Sequence, residues 1–170
     1  MDLGSVALNE EGQEKLYPLF VLIFLQGMIS ASSMVVEIVA GRMIAPYVGM
    51  SLYTWTAIIA VVLAGFSIGN WLGGKIATTK ITSALKVSGG VMMFAAISTG
   101  AAGWLLRLLA APIISHTSEP LVAISLISVG AFFIPSVLAG IPAPILTVAA
   151  MRGRHNSEYA LGLMYAVGAF

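Results

Sequence analysis

Long apolar stretches alternate with short polar segments along this chain, and four of them are long enough to cross a lipid bilayer. The pattern predicts helices over about residues 17–40, 53–76, 85–109 and 121–150. At 1.5 Å per residue each helix would reach roughly 36 Å or more, against a hydrocarbon core of about 30 Å. A further apolar run over residues 158–170 is too short to cross. We therefore predict an all-α integral membrane protein, a polytopic bundle of four transmembrane helices plus a truncated fifth.

Prolines interrupt the fourth apolar run, and the last two of them are Pro142 and Pro144. Proline has no backbone N–H and disfavours helix in the residue before it, so one straight helix is not expected. We predict a spanning helix to about Ala139, a break that extends to Pro144, and a short helical continuation toward Met151.

The distribution of basic residues predicts an orientation. The polar tail, residues 1–16, is mostly acidic and lacks the basic start of a secretory signal, so the first apolar run is expected to be retained. An amino terminus on the cytoplasmic side leaves only Arg42 and Arg107 outside. The other six bases then lie inside, namely Lys15, Lys75, Lys80, Lys86, Arg152 and Arg154. The positive-inside rule thus predicts a multi-pass protein of the cell (inner) membrane with a cytoplasmic tail.

Composition excludes several classes of function. The chain is 59% hydrophobic and 9% charged, with a net charge of +1, so we expect neither a soluble globule nor nucleic-acid binding. It has no cysteine and only two histidines, which are far apart. No pattern of a metal site, a nucleotide loop or a catalytic triad is present. We predict no catalytic, cofactor-binding or metal-binding residue and no cofactor in this chain.

Glu37 is the acidic residue that falls inside a predicted span. A carboxylate near hydrocarbon is costly unless it is paired or faces protein or water, so Glu37 should point inward. Arg42, five residues later, is the nearest partner, but five positions put the two about 140° apart on an unbroken helix. A direct pair therefore requires helix one to end at Gly41. We favour such a structural clamp, with a proton or cation site at Glu37 as the alternative.

Three glycines on helix two, Gly65, Gly69 and Gly73, are spaced by four and form a face without side chains. Another helix can pack there at close backbone distance. A static packing surface is the favoured interpretation, and a sliding surface in a moving transporter is the alternative.

Several motifs resemble, in this order, the membrane part of the spermidine synthase-like membrane proteins, which are fusions of a transporter-like domain with a spermidine synthase. They read EIVAGRMIAPYVG at residues 37–49, SLYTWT at 51–56, GFSIGNWLGGK at 65–75 and LMYA at 163–166, with a further likeness at 135–144. Pro46 belongs to the first motif. The resemblance covers about residues 20–170, and residues 69–75 loosely resemble the loop after the second helix of major facilitator transporters.

The resemblance implies a function for the chain. In that family the helices precede a soluble Rossmann-type domain, which in true polyamine synthases transfers an aminopropyl group to putrescine. No position here matches that domain's glycine-rich loop or catalytic aspartate, so no catalytic residue is carried over. The implied role is to anchor such a synthase or to deliver a polyamine-type substrate to it. The partners would be the lipid bilayer, a soluble synthase-like domain or further helices beyond Phe170, and a second copy of the chain. A small-solute transporter subunit or half-transporter and a purely structural membrane anchor are the alternatives.

Overall fold

The computed structural model describes residues 17–152 and 156–169, which fold into helices with no strand among them. The helices are α1 (Leu19–Val48), α2 (Leu52–Ala77), α3 (Ile81–His116), α4 (Pro120–Gly140), α5 (Pro142–Met151) and α6 (Ser157–Gly168). Since α4 and α5 are two parts of one broken helix, residues 17–152 and 156–169 form a five-helix bundle, and the predicted all-α class is confirmed. The predicted tail, residues 1–16, lies outside the described residues.

Four segments of the bundle are long and apolar enough to cross a membrane: α1, α2, α3 and the α4–α5 pair. This indicates a multi-pass membrane protein. The short α6 packs against α1 and α5. It corresponds to the incomplete fifth helix that the sequence predicts.

The predicted end of helix one near residue 40 is wrong, because α1 continues to Val48. Gly41 is buried, and a Cβ there would lie 2.8 Å from Cη2 of Trp55. This glycine therefore allows a close approach of α2 and does not end the helix. Gly49 ends it instead, with a φ of 79° that favours glycine and an N–H that donates to the carbonyl oxygen of Ala45 at 2.9 Å.

The third helix is longer at both ends than the predicted residues 85–109. It has 36 residues and reaches about 54 Å at 1.5 Å per residue. Its first turns alternate buried Ile81 and Ala84 with exposed polar residues. An amphipathic helix can therefore continue where the apolar run has already stopped.

The predicted break in the fourth helix is confirmed, and it is shorter than expected. Only Ile141 separates α4 from α5, and it keeps helical dihedral angles (φ −62°, ψ −41°). Pro142 and Pro144 both lie in the first turn of α5, where proline is tolerated because no intrahelical donor is needed. Pro144 leaves the carbonyl of Gly140 without the N–H that a continuous helix would supply.

The interior is divided into two main apolar clusters. One joins the second half of α1 to α2, α3 and α4, and its larger members are Ile44, Ile58, Val62, Leu106, Ile127 and Phe132. The other lies toward the opposite end of the bundle and joins α1, α3, α5 and α6 through Leu22, Ile81, Leu146 and Met164. Between these clusters, α1 is separated from α2 and α4 by two grooves.

Candidate functional site

A polar stripe on α1 lines one of these grooves. It consists of Gln26, Ser30, Ser33 and Glu37, spaced by four, three and four residues. That spacing places all four side chains on one helical face. The groove they line, the polar groove, has a volume of about 450 Å³.

The other walls of the polar groove come from α2, the α4–α5 junction and the end of α6. Their lining residues are Leu63, Phe66, Ser67, Asn70, Ala139, Gly140, Ala143, Gly168 and Ala169. Three residues connect α1 to α2, so the two helices run in opposite directions. Gln26 and Asn70 consequently lie toward one end of the groove, and Glu37 and Leu63 toward the other.

Glu37 is partly buried inside the first span and has no hydrogen-bond or ion-pair partner among the described residues. Arg42 is exposed on the same unbroken helix, about 140° around its axis. The predicted clamp between them is wrong because it required a helix end at Gly41. A carboxylate within a span is expected to face protein or a polar cavity, and that is where Glu37 lies.

Gln26 is the most deeply buried polar residue of the stripe, at 6% exposure. Its Oε1 has no hydrogen-bond partner within the described residues. An unsatisfied buried acceptor of this kind costs about 1–3 kcal/mol. The end of α6 closes this end of the groove: Ser30 Oγ donates to the carbonyl oxygen of Gly168 at 3.3 Å, and a Cβ at Gly168 would lie 2.9 Å from Gln26 Nε2.

The glycine seam, defined as Gly65, Gly69 and Gly73, is buried against α4 and α5, as predicted for a close-packed surface. A Cβ at Gly65 would lie 2.6 Å from the Cβ of Ser136. A Cβ at Gly69 would overlap the carbonyl oxygen of Val137, and one at Gly73 would overlap the carbonyl oxygen of Ile141. The seam therefore holds α2 against the helix break that forms the back of the groove. Whether the two surfaces slide stays a prediction.

The predicted proline positions fall in three different places. Pro142 is buried and lines the second groove, while Pro144 packs its Cγ 2.6 Å from where a Cβ at Gly73 would be. Pro46 is exposed in the last turn of α1, outside both grooves. Thus the glycine seam, Pro142 and Pro144 surround the helix break, and Glu37 lines the polar groove toward its other end. Arg42 and Pro46 lie outside both grooves.

The second groove, the apolar groove, has a volume of about 420 Å³ and lies between α1, α2, α3 and α4–α5. Two of its hydroxyl groups are satisfied within their own helices: Ser32 Oγ donates to the carbonyl oxygen of Met28, and Ser136 Oγ to that of Phe132, both at 2.7 Å. Phe66 lines both grooves. The apolar groove presents mainly hydrocarbon and has no charged group in its lining.

Sequence reasoning identified only Glu37 in the polar stripe and did not find Gln26, Ser30 or Ser33. The signal was present, because the 4-3-4 spacing of polar residues inside an apolar helix marks one face. Ser67 and Asn70 on α2 carry no such signal. Their place in the groove depends on how α2 packs against α1.

The chain matches no family model, no curated protein and no solved structure.

Proposed function

We propose that this chain is a membrane domain that binds a small amine-type cation in the polar groove around Glu37. In this proposal it anchors an aminopropyltransferase-like soluble domain or delivers a polyamine-type substrate to it, as the family resemblance implies. The observation that carries the proposal is the Glu37 carboxylate, which lies inside a candidate span without a cationic partner among the described residues. Ionisable groups at such positions commonly mark a pathway for ions or solutes.

The chemistry of the groove suits an ammonium group. A protonated amine has only donors, and the groove supplies acceptors in the carboxylate of Glu37 and the hydroxyl groups of Ser33 and Ser67. Attraction between ammonium and carboxylate is stronger here than in water because the surrounding helices lower the local dielectric constant. Apolar Ile29, Leu63 and Phe66 can contact the methylene groups of the same ligand.

Binding of radiolabelled spermidine to the purified chain in lipid nanodiscs tests this proposal. We expect Glu37→Gln to weaken binding at least ten-fold, because the amide has nearly the same shape and lacks the charge. Arg42→Gln is the matched control, since it changes a charge on the same helix outside the groove, and it should alter affinity less than two-fold. Binding that persists in Glu37→Gln would contradict the proposal.

The broken helix favours a second candidate function, a small-solute transporter subunit or half-transporter that pairs with a second copy. Transporter sites are often built at discontinuous helices, and here the α4–α5 break contributes Gly140 to the polar groove. Accumulation of spermidine in proteoliposomes would support transport, whereas binding without accumulation would favour delivery to a partner. A chain that neither binds nor accumulates the amine would be a purely structural anchor.

A further inference from the structure

We infer that the apolar groove binds one acyl chain of a membrane phospholipid, whose end enters sideways between α1 and α3 near the middle of the bilayer. The inference concerns a hydrocarbon ligand on the other side of α1 from the polar groove. It therefore goes beyond the proposed amine site and does not depend on it.

The mouth of the apolar groove lies between α1 and α3. Met28 on α1 and Met92 on α3 line the groove and are exposed, whereas Val62 on α2 and Ser136 on α4 are buried at its inner wall. Three residues connect α1 to α2 and three connect α2 to α3, so α1 and α3 run in the same direction. The groove therefore opens toward lipid through a gap between two parallel spanning helices.

The mouth opens at the depth where acyl chains end. On α3 the groove is lined by residues from Met92 to Thr99, and exposed charged residues flank this stretch at Lys86 and Arg107. At 1.5 Å per residue, about 9 Å of helix separates Lys86 from Met92 and about 12 Å separates Thr99 from Arg107. With the two charges at opposite headgroup regions, the mouth lies near the midplane of a hydrocarbon core about 30 Å thick.

The lining of the apolar groove suits a hydrocarbon chain. Among the described residues its polar side-chain groups are four hydroxyls, and those of Ser32 and Ser136 already donate to carbonyl oxygens of their own helices. A dry apolar cavity of about 150 Å³ holds the six carbons of benzene. By the same ratio, the volume of about 420 Å³ holds roughly 16 carbons, which is the size of a common acyl chain.

The closure of the groove at both ends favours an acyl chain over a helix as its occupant. Toward one end, a Cβ at Gly103 would lie 2.6 Å from Cε of Met43, so α1 and α3 are in close contact there. Toward the other end, Leu22 of α1 and Ile81 of α3 belong to the same apolar cluster. A helix of another subunit is about 10–12 Å wide and runs through the full depth of the membrane, so it does not fit a mouth bounded in this way.

Packing retains the chain, because bulk lipid is as apolar as the lining and no apolar surface is removed from water when the chain enters. An unfilled groove would leave the side chains that line it without van der Waals partners on one side, and the chain restores those contacts. Phe66 and Ile29 line the polar groove as well, so the bound chain contacts a wall that the two grooves share.

Photo-crosslinking of the purified full chain in nanodiscs tests this inference. The probe is a phosphatidylcholine with a diazirine at the end of one acyl chain, and labelled residues are identified by tandem mass spectrometry. We expect labels on groove residues such as Met28 and Met92, and also on Met93 and Ile97, which are exposed on α3 at the same depth. A probe with the diazirine next to the glycerol ester should label the groove residues at least five-fold less.

Substitutions on α3 separate bound lipid from bulk lipid. Ala95→Phe fills the groove and should reduce its labelling at least five-fold, while the labelling of Met93 and Ile97 stays within two-fold. Ala101→Phe is the matched control, because Ala101 is exposed on the same helix and lines neither groove, and it should leave both sets of labels unchanged. Ala96→Trp places a large ring at the exposed mouth and keeps the test decisive if Ala95→Phe folds poorly.

Several outcomes would overturn the inference. Groove residues that stay unlabelled in the unmodified chain, while Met93 and Ile97 are labelled, would mean that no lipid enters. Groove labels that persist in both Ala95→Phe and Ala96→Trp would mean that the chain binds elsewhere. Equal labelling by the chain-end and ester-end probes would contradict entry at the midplane. Labelling by a diazirine fatty acid but not by the phospholipid would contradict the assignment to a phospholipid.

Discussion

Gly69 and Gly74 lie in the same helix and differ in what surrounds them. A Cβ at Gly69 would overlap the carbonyl oxygen of Val137 and lie 2.9 Å from Gly140 Cα, whereas a Cβ at Gly74 would have nothing within 4 Å. The contacts at Gly69 are backbone atoms, which cannot move aside as the end of a flexible side chain can. The close packing of α2 on α4 therefore depends on the absence of a Cβ at Gly69.

Gly69→Ala should therefore lower the free energy of unfolding by about 1–3 kcal/mol through overpacking. Gly74→Ala is the matched control and should be neutral or slightly stabilising, because alanine is the better helix former. Thermal melting in detergent measures both. Equal melting temperatures for the two variants would mean that α2 does not meet α4 at Gly69.

The seam and Glu37 also show how far single residues were predictable. The spacing of the glycines and the cost of a carboxylate in hydrocarbon are local facts, so the sequence predicted a close-packed face and an inward Glu37. The role of Gly41 was not predictable in the same way. A glycine near a helix end serves equally as a terminus or as space for a neighbouring side chain, and here Trp55 of another helix fills that space. The place of Gln26 on the polar stripe was readable from the spacing, but its burial to 6% exposure was not, because that depends on packing with segments far away in the chain, such as the end of α6.

At the scale of elements, Arg152 links the end of α5 to the turn between α2 and α3. Its Nη2 donates to the carbonyl oxygen of Ala77 at 3.0 Å, and its Nη1 to that of Thr79 at 3.3 Å. These carbonyls lie at or beyond the end of α2, where backbone acceptors lack intrahelical donors and a positive charge is favourable. The contact joins segments more than seventy residues apart in the chain.

We predict that Arg152→Gln lowers the free energy of unfolding by about 1 kcal/mol, a modest effect because part of the contact is exposed to solvent. Lys80→Gln is the control, since it removes a positive charge from the same turn at an exposed position. Both variants are compared by thermal melting in detergent. If the two substitutions lower the melting temperature equally, Arg152 stabilises the fold through its positive charge and not through its hydrogen bonds.

The elements themselves were largely predictable because hydropathy marks a membrane span directly. The break at the prolines was also predictable from local sequence, because the backbone N–H that proline lacks affects only the helix turn around it. Helix ends were not: α3 extends beyond its apolar run because buried Ile81 and Ala84 lie on one side of a polar turn. The burial of Ile81 and Ala84 depends on contacts with neighbouring helices, and the hydropathy of the apolar run carries no information about those contacts.

At the scale of the whole molecule, we propose that the amino terminus lies in the cytoplasm, from the division of basic residues between the two ends of the bundle. Ser83 and Ser115 lie near opposite ends of α3, and both are exposed. The chain has no cysteine of its own. Single substitutions Ser83→Cys and Ser115→Cys therefore report the orientation without interference.

In intact cells, an impermeant thiol reagent should label Ser115→Cys and leave Ser83→Cys unlabelled until the membrane is opened. The reverse pattern would invert the topology. Equal labelling of both positions from outside would mean that α3 does not span the membrane.

The length of α3 has a consequence for the bilayer that the protein can occupy. Lys86 and Arg107, both exposed, are separated along this helix by about 31 Å, close to the thickness of a typical hydrocarbon layer of about 30 Å. Their charged ends can reach the headgroups on opposite sides while the helix stands nearly upright. In a thinner membrane α3 would have to tilt, and in a thicker one its charges would pull the leaflets inward, each at a modest cost per ångström of mismatch. Because α3 packs along α4, that adjustment would change the angle of the whole bundle to the membrane plane.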